Sequence, residues 1–127
     1  MAKPYYEFFC PVKVIAGSAA LEHIPFELAT LGSKRPMIIT DKGVRANKLL
    51  EPIETAFAST DAEIGYIFDD VPPDSSLETV RNAAQFYRDN NCDAIIAVGG
   101  GSVIDTSKAT NILVSEGGND LLKYSGA

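Results

Sequence analysis

Asp93-Ala94-Ile95-Ile96-Ala97-Val98-Gly99-Gly100-Gly101-Ser102-Val103-Ile104-Asp105-Thr106-Ser107-Lys108 is the stretch that decides how the chain is read. It opens with an apolar run of strand length, which predicts a strand buried on both faces of a parallel sheet. Three glycines follow, and then a segment able to form a helix. Strand, side-chain-free turn and helix start together suit a phosphate group. Glycine lets the backbone approach a ligand closely, and the first N–H groups of a helix point at an anion that the helix dipole favours. The spacing is not that of a P-loop, because no Gly-Lys-Ser/Thr follows the glycines. Nor is it Gly-x-Gly-x-x-Gly, because Ser102 follows Gly101 and the third glycine is missing. A tight strand-to-helix turn without a ligand would account for the glycines alone, so the wider pattern carries the reading. Ser102, Asp105 and Lys108 recur every three residues and fan over one side of the new helix at its amino end. Ser102 can add a hydroxyl donor to the cradle, and Asp105 suits the first turn. An intrahelical pair with Lys108 accounts for Asp105 as well as ligand contact does.

Working outward, Pro36-Met37-Ile38-Ile39-Thr40 is the next strand, ending at Asp41-Lys42-Gly43. A carboxylate at the carboxyl end of a central parallel strand can accept both ribose hydroxyls of an adenosine. An Asx-type turn is the alternative role of Asp41. In the ordinary dinucleotide fold the acid follows the glycine loop by about twenty residues. Here it precedes the loop, so the sheet is a related but differently ordered one.

Val44 to Ser59 reads helical, broken at Glu51-Pro52, with Leu50, Ile53, Ala56 and Phe57 inward. Ala62 to Phe68 reads as a strand weakened by Gly65, with Ile64, Tyr66 and Phe68 on one face. A loop follows from Asp69 to Ser76, where Asp74 or Ser75 can cap the coming helix and Ser75 with Glu78 matches a capping box. That helix, about Ser76 to Asn90, buries Leu77, Val80, Ala84 and Tyr87. Near the start, Phe8 to Ala16 carries two short strand-like pieces around Pro11. Leu21, Ile24, Leu28 and Leu31 then share a helical face that Gly32 stops, and Pro25 implies a kink or two short helices. After the glycines, a helix containing Ile104, Ala109, Ile112 and Leu113 ends near Glu116-Gly117-Gly118.

Strand and helix alternate throughout. The expected fold class is α/β: a Rossmann-like parallel sheet with helices on both faces and an edge strand or hairpin at the N-terminus. Ligands of such sheets sit outside the carboxyl ends of the strands. Thr40-Asp41, the Val71 to Asp74 loop and Gly99 to Ser102 all lie at those ends. Three strand exits on one rim predict a nucleotide site.

Composition narrows the partners. The 127 residues make one domain, and a net charge of −6 without any Lys/Arg cluster argues against nucleic acid and anionic membrane surfaces. No apolar run has the length of a bilayer span or a signal-peptide core, so a cytoplasmic location is expected. Cys10 and Cys92 are read as reduced, buried thiols. His23 is the only histidine, and it reads as a helix residue rather than a metal ligand.

Gly99-Gly100-Gly101-Ser102-x-x-Asp105-x-x-Lys108 resembles the signature of the iron-containing (group III) alcohol dehydrogenases. Glycerol dehydrogenases and dehydroquinate synthases share a related version. Thr40-Asp41-Lys42-Gly43 and Val71-Pro72-Pro73 look more like the alcohol dehydrogenase branch. The resemblance covers essentially the whole chain but only about the first third of a typical family member. It implies a dinucleotide-binding domain over residues 1–127, with NAD held by Asp41, Asp74, Gly99, Gly100, Gly101, Ser102, Asp105 and Lys108. Asp41 matches the ribose-binding acid, and a carboxylate there would repel the extra phosphate of NADP. The family pattern Val-x-Pro-Asn-Pro-Thr has an Asn where this chain has Asp74, and Ser75 replaces the second Pro, so the cofactor contact at Asp74 carries over less directly. The resemblance further implies hydride transfer between the nicotinamide and a small alcohol or aldehyde, a divalent metal (Fe), and a homo-oligomer. The metal ligands and a Pro-Thr-Thr segment near the cofactor would belong to the family's remaining two-thirds, so no catalytic or metal residue is expected here, and the chain alone is expected to be inactive. The alternatives are the cofactor domain of a glycerol dehydrogenase or dehydroquinate synthase-like enzyme, or a non-catalytic module binding a nucleotide or phosphate.

Overall fold

The structure, a computed structural model, describes residues 13–74 and 76–116. A 3-10 turn at Ala20–His23 leads into α1 (Ile24–Thr30), β1 (Pro36–Ile39), α2 (Lys42–Ala46) and α3 (Glu51–Ala58). β2 (Tyr66–Phe68), α4 (Leu77–Asp89), β3 (Ala94–Ala97) and α5 (Gly101–Glu116) follow. The three strands run parallel in the order β2-β1-β3.

The centre of this sheet is β1, not the strand before the glycines. Every β1 residue is buried, whereas Ala94, Ile95 and Ile96 of β3 are half-buried and Ala97 is exposed. Both strands are apolar runs, and sequence cannot rank them; position in the sheet does. Along β1 the side chains alternate between faces. Met37 and Ile39 join Phe68, Val71, Ala83 of α4 and Val103 of α5 on one face. Ile38 joins Leu28 of α1, Leu50, and Ile53 and Phe57 of α3 on the other. Helices therefore cover both faces, as expected of a Rossmann-like α/β sheet.

Local chemistry sets the helix ends. Pro25 sits in the first turn of α1, where its missing N–H costs nothing, and Gly32 stops the helix at φ +81°. Leu21 and Leu31, expected inward, are exposed. The 3-10 turn before Pro25 changes the residue period, and Leu31 already lies beyond the last turn of α1. The break expected at Glu51-Pro52 lies just before it, at residues 47–50, where Lys48 takes φ +59°. Pro52 instead opens α3.

Strand pairing starts only at Tyr66, so Ile64 packs with Ile67 on the α3 side rather than with Tyr66 and Phe68. A Cβ on Gly65 would lie 2.8 Å from the Cys92 sulfur and 2.9 Å from Arg35 Cγ, which explains the glycine there. The cap of α4 is Ser76, its hydroxyl accepting the Thr79 N–H at 3.2 Å, where Asp74 or Ser75 was expected. Residues 13–16, expected as the end of a strand, form none. The rest of that expected hairpin, Cys10 and Ser75 lie outside the described residues.

Candidate functional site

The carboxyl ends of β1, β2 and β3 open onto one cleft of about 630 Å³. Asp41, Lys42 and Gly43 line it from the β1 exit, Asp69 to Pro73 from the β2 exit, and Gly100 to Val103 from the β3 exit. The three expected strand exits do converge.

Thr40 fastens this rim. It is fully buried at the end of β1; its N–H donates to the Phe68 carbonyl at 2.8 Å and its hydroxyl to the Val98 carbonyl at 2.6 Å. One residue thus ties all three strand ends just below the cleft. Sequence alone places Thr40 only at a strand terminus, because nothing local tells a buried threonine that bridges its neighbours from one that does not.

The three glycines divide by role. Gly99 takes φ +153°, and a Cβ there would strike Val103 Cγ2 at 2.7 Å. Its reason to be glycine is internal to the fold. Gly100 and Gly101 have no such reason: neither has a φ in the left-handed region, and a Cβ on either would meet nothing within 4 Å. Gly100 precedes α5, accepting the Ile104 N–H at 3.0 Å, and offers no side chain to cap the first turn. The N–H groups of Gly101, Ser102 and Val103 therefore have no partner one turn back and stand at the cleft wall.

The other expected site residues differ. Asp41 lines the cleft, and one of its oxygens caps α2 by accepting the Val44 N–H at 2.8 Å. The turn role and the rim position coexist. Ser102 lines the cleft, but its hydroxyl proton goes to the Pro73 carbonyl, tying the β2 exit loop to the start of α5. Asp74 is exposed beyond the lining, and so are Asp105 and Lys108, one turn and more along α5. The pair envisaged between Asp105 and Lys108 does not form.

A charged rim that the sequence reading missed crosses the cleft mouth. Lys42 Nζ lies 2.8 Å from Asp70 Oδ1 and 3.3 Å from Asp69 Oδ1, and Arg45 Nη1 lies 2.8 Å from Asp69 Oδ2. Hydrogen bonds to Asp70 and Asp69 raise the Lys42 pKa above its ordinary value. Burial pulls the Asp69 carboxyl upward, but the bonds and charges of Arg45 and Lys42 together outweigh it and hold it below the usual range. The pairing joins residues 24 to 28 positions apart, beyond the reach of local spacing.

Among the described residues no cluster of three His, Cys, Asp or Glu side chains could hold a metal ion. His23 is exposed. The free N–H groups at the start of α5 and the acid at the β1 exit have a chemistry that would fit a diphosphate-bearing nucleotide, and the described residues offer no ligand set for a metal. No helix among them is long and apolar enough to cross a membrane.

The chain matches the family model for iron-containing alcohol dehydrogenases over residues 11–127. It is 32% identical over 127 residues to the 1,3-propanediol dehydrogenase of Citrobacter freundii, covering 99% of this chain and 33% of that protein. With the NAD-dependent methanol dehydrogenase of Bacillus methanolicus it shares 29% identity over 111 residues, which is 87% of this chain and 29% of the relative. The solved alcohol dehydrogenase from Oenococcus oeni superposes with a TM-score of 0.82 at 27% identity, over 96% of this chain and 32% of the other. The chain thus spans about a third of the length of these relatives. With its glycine cradle, its acid at the β1 exit and this match from residue 11 onward, the chain belongs to the iron-containing alcohol dehydrogenase family.

Proposed function

We propose that residues 1–127 are the NAD-binding domain of an alcohol dehydrogenase, with the cleft holding the adenosine diphosphate half of the cofactor. The observation that carries this is the pair Gly100 and Gly101, bare of side chains at the amino end of α5 although the fold gives neither a reason to be glycine. Free N–H groups of α5 receive the diphosphate. Asp41 accepts the ribose hydroxyls through the oxygen that α2 leaves unused, and favours NAD over NADP. Ser102 acts by holding the Pro73 loop against the cradle. Gly99 shapes the turn. Asp74, Asp105 and Lys108 stay outer members of the site, within reach of a long dinucleotide rather than of its diphosphate. The complete enzyme would transfer hydride between a small alcohol or aldehyde and the nicotinamide, with catalytic and metal-binding residues outside this chain. A cytoplasmic setting and association with further copies belong to the same reading. The unpaired Cys92 thiol suits a reducing compartment.

Calorimetric titration of NAD into the chain tests the cleft, with Gly101→Ala and Asp41→Gly as variants. Binding by the parent and loss of at least tenfold in each folded variant is the expected result. Absence of binding by a folded parent chain would remove the proposal.

A further inference from the structure

The cleft holds one lysine at its mouth, next in sequence to the acid proposed to grip the ribose, and two carboxylates hold that lysine. Lys42, Asp69 and Asp70 all line the cleft. Among the described residues that line the cleft Lys42 is the only Lys or Arg, and its side chain is 73% exposed. An ammonium on a flexible four-carbon stem beside Asp41 is otherwise suited to meet a phosphate on the 2′-oxygen of that ribose. Asp70 at 2.8 Å and Asp69 at 3.3 Å occupy it. Asp69 also pairs with Arg45 at 2.8 Å, which favours its place at the rim. Around this mouth three carboxylates (Asp41, Asp69, Asp70) face two cations (Lys42, Arg45), leaving the rim negative.

We propose that Asp69 and Asp70 are positioning residues for cofactor choice: by engaging Lys42 they deny it to a 2′-phosphate and so add to the exclusion of NADP. The inference rests on the nucleotide reading of the cleft and assigns a specificity role to residues outside the expected site. Asp41 repels the phosphate directly, whereas Asp69 and Asp70 withhold a cation that could welcome it. Specificity built by removing an attraction as well as adding a repulsion is a common pattern in selective sites.

NADH and NADPH differ here only in the 2′-phosphate, so their affinities for the chain are the test. Asp70→Asn is expected to tighten NADPH about fivefold, the worth of one exposed ion pair, with NADH within about twofold. Asp69→Asn with Asp70→Asn is expected to go further, and Asp70→Glu to keep the parent ratio. The gain is expected to vanish when Lys42→Ala is added, and to shrink at high salt. An NADPH/NADH ratio unmoved by both Asp→Asn variants, or moved equally without Lys42, overturns the inference alone while parent binding of NADH stands. Failure of the folded parent chain to bind either cofactor overturns the nucleotide reading, and this inference with it.

Discussion

Two glycines two positions apart in the same turn answer to different physics. Gly99 needs its φ of +153° and has no room for a Cβ beside Val103. Gly99→Ala is expected to lower stability by about 2–3 kcal/mol, read from the urea midpoint. Gly101 lies in the first turn of α5 with open space at the Cβ position. Gly101→Ala should leave the fold unharmed or stabilise it by up to about 1 kcal/mol, while weakening NAD. A parent-like affinity in Gly101→Ala would sever the cradle from the cofactor. At the opposite pole of the sheet, Asp93 accepts the Ser33 hydroxyl at 2.6 Å and the backbone N–H groups of Lys34 and Arg35 at 2.8 and 3.0 Å. Burial pushes this carboxyl up, but the bonds from Lys34, Ser33 and Arg35 prevail and hold its pKa below the ordinary value. A depressed folded pKa contributes stability that is complete above the unfolded carboxyl's value near 4 and is lost as pH falls below it. Asn in its place keeps one acceptor oxygen, so Asp93→Asn is expected to cost about 1 kcal/mol at neutral pH, solvent screening at this exposed position keeping the loss at the low end. The gap from the parent should close in urea titrations taken from about pH 4 downward.

Elements in this fold are held at their ends more than along their lengths. β2 is three residues long and β1 and β3 four each, so few ladder bonds define the sheet. Thr40 compensates by donating to both neighbouring strands. Thr40→Val keeps the shape but leaves the Val98 carbonyl without its donor. We expect a loss of about 1–2 kcal/mol and a larger relative loss of NAD affinity than at Ser76→Ala. That cap variant should cost about 1 kcal/mol with cofactor binding unchanged. Equal losses of affinity in both variants would show that general loosening, not the strand-end clamp, shapes the cleft. α5 has its own irregularity: Thr106 and Thr110 are fully buried, and neither hydroxyl has a hydrogen-bond partner among the described residues.

For the molecule as a whole, a ligand that binds only the folded state stabilises it by mass action. At a hundredfold excess over its dissociation constant, NAD should add about 2.7 kcal/mol, seen as a rise in Tm. The rise should be absent in Asp41→Gly if the ribose contact is what the cleft reads. Such a rise with inorganic phosphate but not with NAD would point to a phosphate module instead.

The sequence by itself determined the alternation of strands and helices, the glycine cradle and the placing of Asp41 at a strand end. Those features are local: hydrophobic period, proline and glycine stops, and turn chemistry are carried by neighbouring residues. It could not decide that β1 rather than β3 is the buried centre, because two apolar runs look alike until their order in the sheet is known. Nor could it foresee Thr40 bridging Phe68 and Val98, the Ser102 hydroxyl turned to Pro73, or Asp69 and Asp70 on Lys42. Each joins residues more than twenty positions apart, and only the tertiary structure brings such partners within hydrogen-bonding distance.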